Sequence, residues 1–243
     1  MVRAVCIALA AIVVAQFAEA ASGFSDWAAV VVAGDWRAHS GAPSEVFDNA
    51  RRDITSELIG LGFSPANILQ FSAQSDRYPV VTREATPQHI AGGLWDLSSR
   101  TTSGCFAYFT SHGSPDGIVL GDRVLSPDRM AKIVDNACGG RPTVVVVSSC
   151  FSGVFVPALK APERIVITAA APDRTSFGCG ETDKYTYFDA CALQWLAKSG
   201  DFPDFAKNVT ACVATREKKE NVDLPSEPQV FVGQLAGAIP RWK

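Results

Sequence analysis

A chain of 243 residues, 47% apolar and 19% charged, has the composition of an ordinary globular protein with a sizeable core, and its length suits one α/β domain. Its formal charge of −3 at pH 7 gives no electrostatic case for binding nucleic acid or anionic lipid, both of which need clustered Lys and Arg.

The first twenty residues carry Arg3, an apolar run from Ala4 to Ala15, and Ala18 and Ala20 around Glu19. This is the pattern of a secretory signal with cleavage after Ala20, and the run is too short to span a bilayer. The reading predicts an exported protein, periplasmic or secreted, with no membrane association after signal removal. Cys6 leaves with the signal, so six cysteines remain, each to be placed as a bridge or a thiol.

From Trp27 to Gly34 a short apolar run predicts a buried strand. A helix follows from about Ser44, with Val46, Ala50, Ile54 and Leu58 on one face and Gly60 or Gly62 closing it. "NILQF" reads as a second strand, and "TPQHIAGGLWDLSS" as a helix with Thr86 at the N-cap and Pro87 in its first turn; Gly92 and Gly93 weaken it. Gly104 to Thr110 is a third strand, and "IVLGDRVL" a hairpin around Gly121-Asp122. Ser126-Pro127 opens a helix that Gly139-Gly140 closes. "TVVVVSS" and "RIVITAA" are two further strands, followed by helices in "YFDACALQWLAKS" and "DFAKNVTACVATREKKE" and a late "PQVFVG" segment. The mixed charges of Arg216 to Glu220 read as a solvated helix face. Unbroken apolar strands alternating with helices predict a mostly parallel sheet covered on both faces, with functional groups at the carboxyl ends of the strands.

Two of those strand ends carry chemistry. One strand runs into Ser111-His112-Gly113 and another into Ser148-Ser149-Cys150. If the strands are neighbours, the imidazole and the thiol meet in one cleft. A thiol with an ordinary pKa of about 8.5 is mostly protonated at neutral pH, and an adjacent imidazole can lower that pKa or take the proton. Gly113 admits a substrate backbone and, with the Cys150 N–H, offers donors for an oxyanion. No G-x-S-x-G elbow surrounds Ser148 or Ser149, which read as strand-end hydrogen-bonding residues. No C-x-x-C or H-x-x-x-H spacing occurs, so neither a metal nor another cofactor is implied.

"YFTSHGSPDGIVLG" followed by "VVVVSSCFSG" resembles the legumain family of cysteine peptidases, in the same broad clan as caspases, and the likeness continues through "RIVITAAAPDRTSFGCGETDKYTYF". The resemblance implies a caspase-like three-layer αβα sandwich over residues 21–243. It implies His112 as general base or acid and Cys150 as a nucleophile that forms a thioester with the substrate acyl group. Peptides or proteins are then the substrates. The family's usual acidic residue two before the nucleophile is Ser148 here, and the family's Asn after the first strand has no clean match. Asp35 is the nearest group to orient His112, and Arg37, His39, Thr175, Ser176 and Asp189 are further pocket candidates. Two other readings stay open: a transamidase or peptide ligase on the same scaffold, and a non-catalytic peptide-binding protein. Cys105 and Cys138 fall at the sheet edge opposite these groups, and Cys191 and Cys212 face each other across a helical turn. The expected bridges are therefore Cys105 to Cys138 and Cys191 to Cys212, with Cys150 and Cys179 free.

Overall fold

The structure, a computed structural model, describes residues 23–243, so the expected signal segment lies outside the described residues. Seven strands form one sheet in the order β10-β9-β8-β4-β1-β2-β3. They are β1 (Trp27–Ala33), β2 (Ile68–Ser72), β3 (Thr82–Glu84), β4 (Gly104–Thr110), β8 (Thr143–Ser148), β9 (Arg164–Thr168) and β10 (Gln229–Val232). All pair in parallel except β10, which runs antiparallel to β9. Every residue of β1, β4, β8 and β9 is buried, as expected of parallel strands covered on both sides.

Alternate strand residues feed two separate cores. Val31, Phe106, Tyr108, Val146 and Ile167 face α1 (Val46–Gly60), α5 (Tyr187–Trp195) and α6 (Phe202–Lys219). Val30, Ala107, Phe109, Val145 and Val147 face α2 (Pro87–Arg100), α3 (Pro127–Cys138) and α4 (Phe155–Leu159). The result is the three-layer αβα sandwich. Full burial of a valine side chain contributes about 1.5–3 kcal/mol, so the four valines of β8 hold that strand firmly in the middle of the sheet. Among the described residues no helix is long and apolar enough to cross a membrane.

The predicted helices form with small adjustments. Thr86 caps α2, its Oγ1 accepting from the His89 N–H at 3.2 Å, and the helix runs through both glycines. Gly93 has a packing reason: a Cβ there would sit 2.8 Å from the Phe71 ring, so its absence lets α2 lie close on β2. The hairpin of β6 (Gly117–Leu120) and β7 (Arg123–Leu125) gains a third strand, β5 (Gly113–Ser114). The short polar edge strand β3 and the one-turn α4 around Pro157 likewise have no counterpart among the elements expected from sequence. The charge run at the end of α6 is not wholly solvated. Phe205, Val209, Val213 and Glu217 recur at every fourth residue along the buried face, and Glu217 is 2% exposed, accepting the Ser226 N–H at 3.1 Å.

Both expected disulfides are present. Cys105 at the start of β4 joins Cys138 at the end of α3, and Cys191 of α5 joins Cys212 of α6. Cys150 and Cys179 are the free thiols among the described residues.

Candidate active site

Register brings the two motifs together. β4 and β8 are adjacent and pair Thr110 with Ser148, so His112 and Cys150 each lie two residues past the same rung. The ladder extends one step further through Ser111 N–H to Ser148 C=O at 3.1 Å. Gly113 then passes so near the β8 turn that a Cβ would stand 2.3 Å from the Cys150 carbonyl oxygen; no side chain fits there without moving backbone. The bond from Val119 N–H to His112 C=O makes Gly113 and Ile118 a non-hydrogen-bonded pair, so the ladder does not use the Gly113 N–H.

The His112 ring is fixed from two sides. Phe47 of α1 meets it edge to face, with ring centroids 5.0 Å apart. Its Nε2 lies 2.9 Å from the Arg37 carbonyl oxygen. A carbonyl only accepts, so Nε2 is the donor, and in the neutral ring the lone pair then lies on Nδ1. Asp35 does not touch the ring. It holds the loop that supplies the carbonyl: its Oδ1 accepts from the Trp36 N–H at 2.7 Å, the Arg37 N–H at 3.1 Å and Arg37 Nε at 3.0 Å, and its Oδ2 accepts from the Arg37 guanidinium at 3.2 Å. That ion pair raises the Arg37 pKa, chiefly through the Asp35 hydrogen bond.

β8 ends in a sharp turn. Phe151 adopts a left-handed φ of 57°, which a non-glycine residue pays for in strain, and its N–H donates to the Arg174 carbonyl at 2.7 Å. The turn leaves the half-buried Cys150 at the strand tip. Its Sγ accepts from the Ser176 N–H at 3.3 Å and lies 3.6 Å from the Ser176 carbonyl oxygen. Ser176 belongs to a strap from Thr175 to Gly180, without regular secondary structure, that crosses in front of the thiol. The Cys179 carbonyl anchors the strap by accepting the His39 N–H at 3.0 Å.

These parts enclose a cleft of about 450 Å³. Of the candidates read from sequence, His112, Gly113, Cys150, His39, Thr175 and Ser176 line it. Asp35, Arg37, Ser148 and Asp189 do not. Asp189 lies under the two strand ends, fully buried, accepting from Tyr108 Oη at 2.7 Å and Thr110 Oγ1 at 2.6 Å. Burial pushes its carboxyl pKa up, against hydrogen bonds from Thr110, Tyr108, Ser148 and Thr186 that pull it down. Ser148 is likewise buried, 3.4 Å from Thr186 Oγ1. A larger groove of about 660 Å³ lies over α5 and α6, but its two cysteines are bridged to each other and it holds no free thiol among the described residues.

The sequence matches the peptidase C13 family over residues 74–230, a span that contains His112, Cys150 and the strap. The chain belongs to the peptidase C13 family. Among solved structures, caspase-1 from Spodoptera frugiperda shares its fold with a TM-score of 0.63, covering 87% of this chain and 88% of that one at 12% identity. No curated protein sequence matches. Family and fold together make this C13 member a cysteine-type peptidase, acting on peptide or protein substrates.

Four cleft residues of the peptidase escaped the sequence reading: Phe151, Phe177, Gly178 and Cys179. Phe151 and Gly178 are placed by left-handed backbone, which leaves no mark in hydrophobic periodicity. The Arg37 contact to His112 was equally invisible, because every residue carries a carbonyl and only folding selects one. Cys179 did carry a signal: it was the thiol left over beside Cys150 once the other four cysteines had been paired.

Proposed function

We propose that this C13 peptidase is an exported endopeptidase working through a Cys150–His112 pair and a thioester acyl-enzyme. The observation that carries the reading is the bond from His112 Nε2–H to the Arg37 carbonyl, which leaves Nδ1 as the basic nitrogen on the strand end beside Cys150. Nδ1 takes the thiol proton as Sγ attacks the scissile carbonyl carbon. The N–H groups of Gly113 and Cys150 receive the developing oxyanion, and the imidazolium returns its proton to the leaving amine. Water, with Nδ1 again as base, then hydrolyses the thioester. Export is supported by the signal-like first twenty residues and by two disulfides, which persist in oxidising compartments.

The cleft also favours an uncharged side chain on the residue before the scissile bond. Among the described residues, those lining it include no Asp, Glu, Lys or Arg. Burial, then the charge of a Cys150 thiolate, pushes the Cys179 thiol up to about 11, so it stays neutral at ordinary pH. A charged substrate side chain would lose water there without gaining a counter-ion. In a library varied at that position, uncharged residues should exceed Asp or Lys in kcat/KM by about tenfold or more. Preference for a charged residue would reject this assignment.

The direct test of the catalytic pair is mass spectrometry after brief exposure to limiting iodoacetamide at about pH 6, where an ordinary thiol reacts slowly. Cys150 should be modified selectively, and His112→Ala should lower both that labelling and peptidase kcat/KM, the latter by about 10²–10⁴-fold. Equal labelling of Cys150 in wild type and variant would sink the reading.

A further inference from the structure

Four of the six cysteines outside the expected signal segment are bridged, and the two that are not share one cleft. Nothing in peptide hydrolysis requires a second thiol beside the first. Cys150 stands at the tip of a rigid, fully buried strand, and Cys179 sits on the strap whose Ser176 already contacts the Cys150 sulfur. Cys179 is flanked by two glycines, Gly178, at a φ of +85°, and Gly180, the backbone positions at which the strap can most readily change course. Both thiols are half-buried and line the cleft, where a small oxidant can reach them.

We propose that Cys150 and Cys179 form a reversible oxidation site, in which Cys179 resolves a peroxide-oxidised Cys150 by closing a disulfide across the cleft. The oxidant is hydrogen peroxide or a hydroperoxide of similar size. The Cys150 thiolate attacks one peroxide oxygen, the S–O bond forms and the O–O bond breaks. The departing hydroxide takes up a proton to become water, so that sulfur is oxidised by two electrons and peroxide reduced by two. The Cys179 sulfur then attacks the sulfenic acid sulfur: the S–S bond forms, the S–O bond breaks, and the proton shed by Cys179 leaves with hydroxide as a second water. A dithiol supplies the two electrons that reopen the bridge.

The two thiols differ in the way this sequence needs. Cys179 remains protonated until about pH 11, so peroxide does not find it first. Cys150, with the basic nitrogen of His112 on the neighbouring strand end, is the thiol that is deprotonated in catalysis, and the proposal rests on that reading. Closure removes the nucleophile and fills the cleft. It also stops Cys150 short of sulfinic acid, which a dithiol does not reverse.

The test treats the purified, reduced protein with limiting hydrogen peroxide, blocks remaining thiols, and maps peptides under non-reducing conditions. The expected product is a linked Cys150–Cys179 peptide with both structural bridges intact, and dithiothreitol should restore most of the iodoacetamide labelling of Cys150. In Cys179→Ser the same dose should carry Cys150 to sulfinic acid, with labelling lost for good. Wild type that reaches sulfinic acid as fast as the variant, or a Cys150 that stays a free thiol in both, overturns the proposal. Because linkage is read in wild type by mass, the result does not depend on the variant folding. Peptide cleavage by the reduced wild type keeps the two readings apart: cleavage without linkage rejects the oxidation site alone, whereas no cleavage rejects the catalytic reading.

Discussion

At the scale of single residues, the site is organised around backbone groups that side chains hold in place. His112 needs one ring nitrogen protonated and the other free, and the Arg37 carbonyl achieves this without adding charge near the thiol. Asp35 acts one step removed. Buried to 3% exposure, it accepts two backbone N–H groups and the Arg37 guanidinium, and so fixes where that carbonyl points. Asp35→Ala frees the loop, and the loss of charge-assisted hydrogen bonds of about 1.5–3 kcal/mol each gives room for a fall of roughly tenfold or more in kcat/KM. Asp35→Asn keeps an oxygen for the two N–H groups and should recover much of that loss. The distinguishing readout is the pH dependence of Cys150 alkylation, which reorientation of the imidazole shifts in the alanine variant and largely preserves in the asparagine one. Identical alkylation profiles in all three proteins would remove Asp35 from the positioning of His112.

Elements supply the frame in which those residues meet. Asp189 of α5 binds Tyr108 and Thr110 of β4, and Thr186, which caps α5 by accepting the Asp189 N–H at 3.0 Å, lies beside Ser148 of β8. One buried carboxyl thus ties a helix to β4, and its capping threonine brings in the companion strand β8. Its raised pKa means that the folded chain holds a proton the unfolded chain releases. The stability this confers is complete below the ordinary carboxyl pKa of about 4 and is lost as pH rises through the folded value. Thermal melts over a pH series should therefore show wild type losing ground to Asp189→Asn as pH rises from about 4, and parallel curves would contradict the raised pKa. The same elements mark how far sequence could be read. Strands such as β1, β4 and β8 were legible because burial on both faces demands unbroken apolar runs, and His112 and Cys150 were legible because each directly follows such a run. β3 was not, since three polar residues at a sheet edge bury too little to leave a pattern. Asp189 was visible as a candidate but not as buried, because its partners come from strands far away in sequence.

For the whole molecule, chemistry and stapling are kept at different places. The cleft lies beyond the carboxyl ends of β4 and β8, while the Cys105–Cys138 bridge lies at their amino ends and Cys191–Cys212 joins the two outer helices. Each bridge closes a loop, with sequence separations of 33 and 21, which corresponds to about 3–4 kcal/mol of stability in the chain-entropy account. That contribution acts mainly on the unfolded chain and so should not reach the thiol of the folded one. Replacing Cys191 and Cys212 together by alanine should lower unfolding free energy by about 3 kcal/mol in denaturant titrations and leave Cys150 alkylation in the native protein within about twofold of wild type. If alkylation instead fell in step with stability, the outer helices would be coupled to the cleft, and α5, which carries both Cys191 and Asp189, would be the element through which that coupling runs.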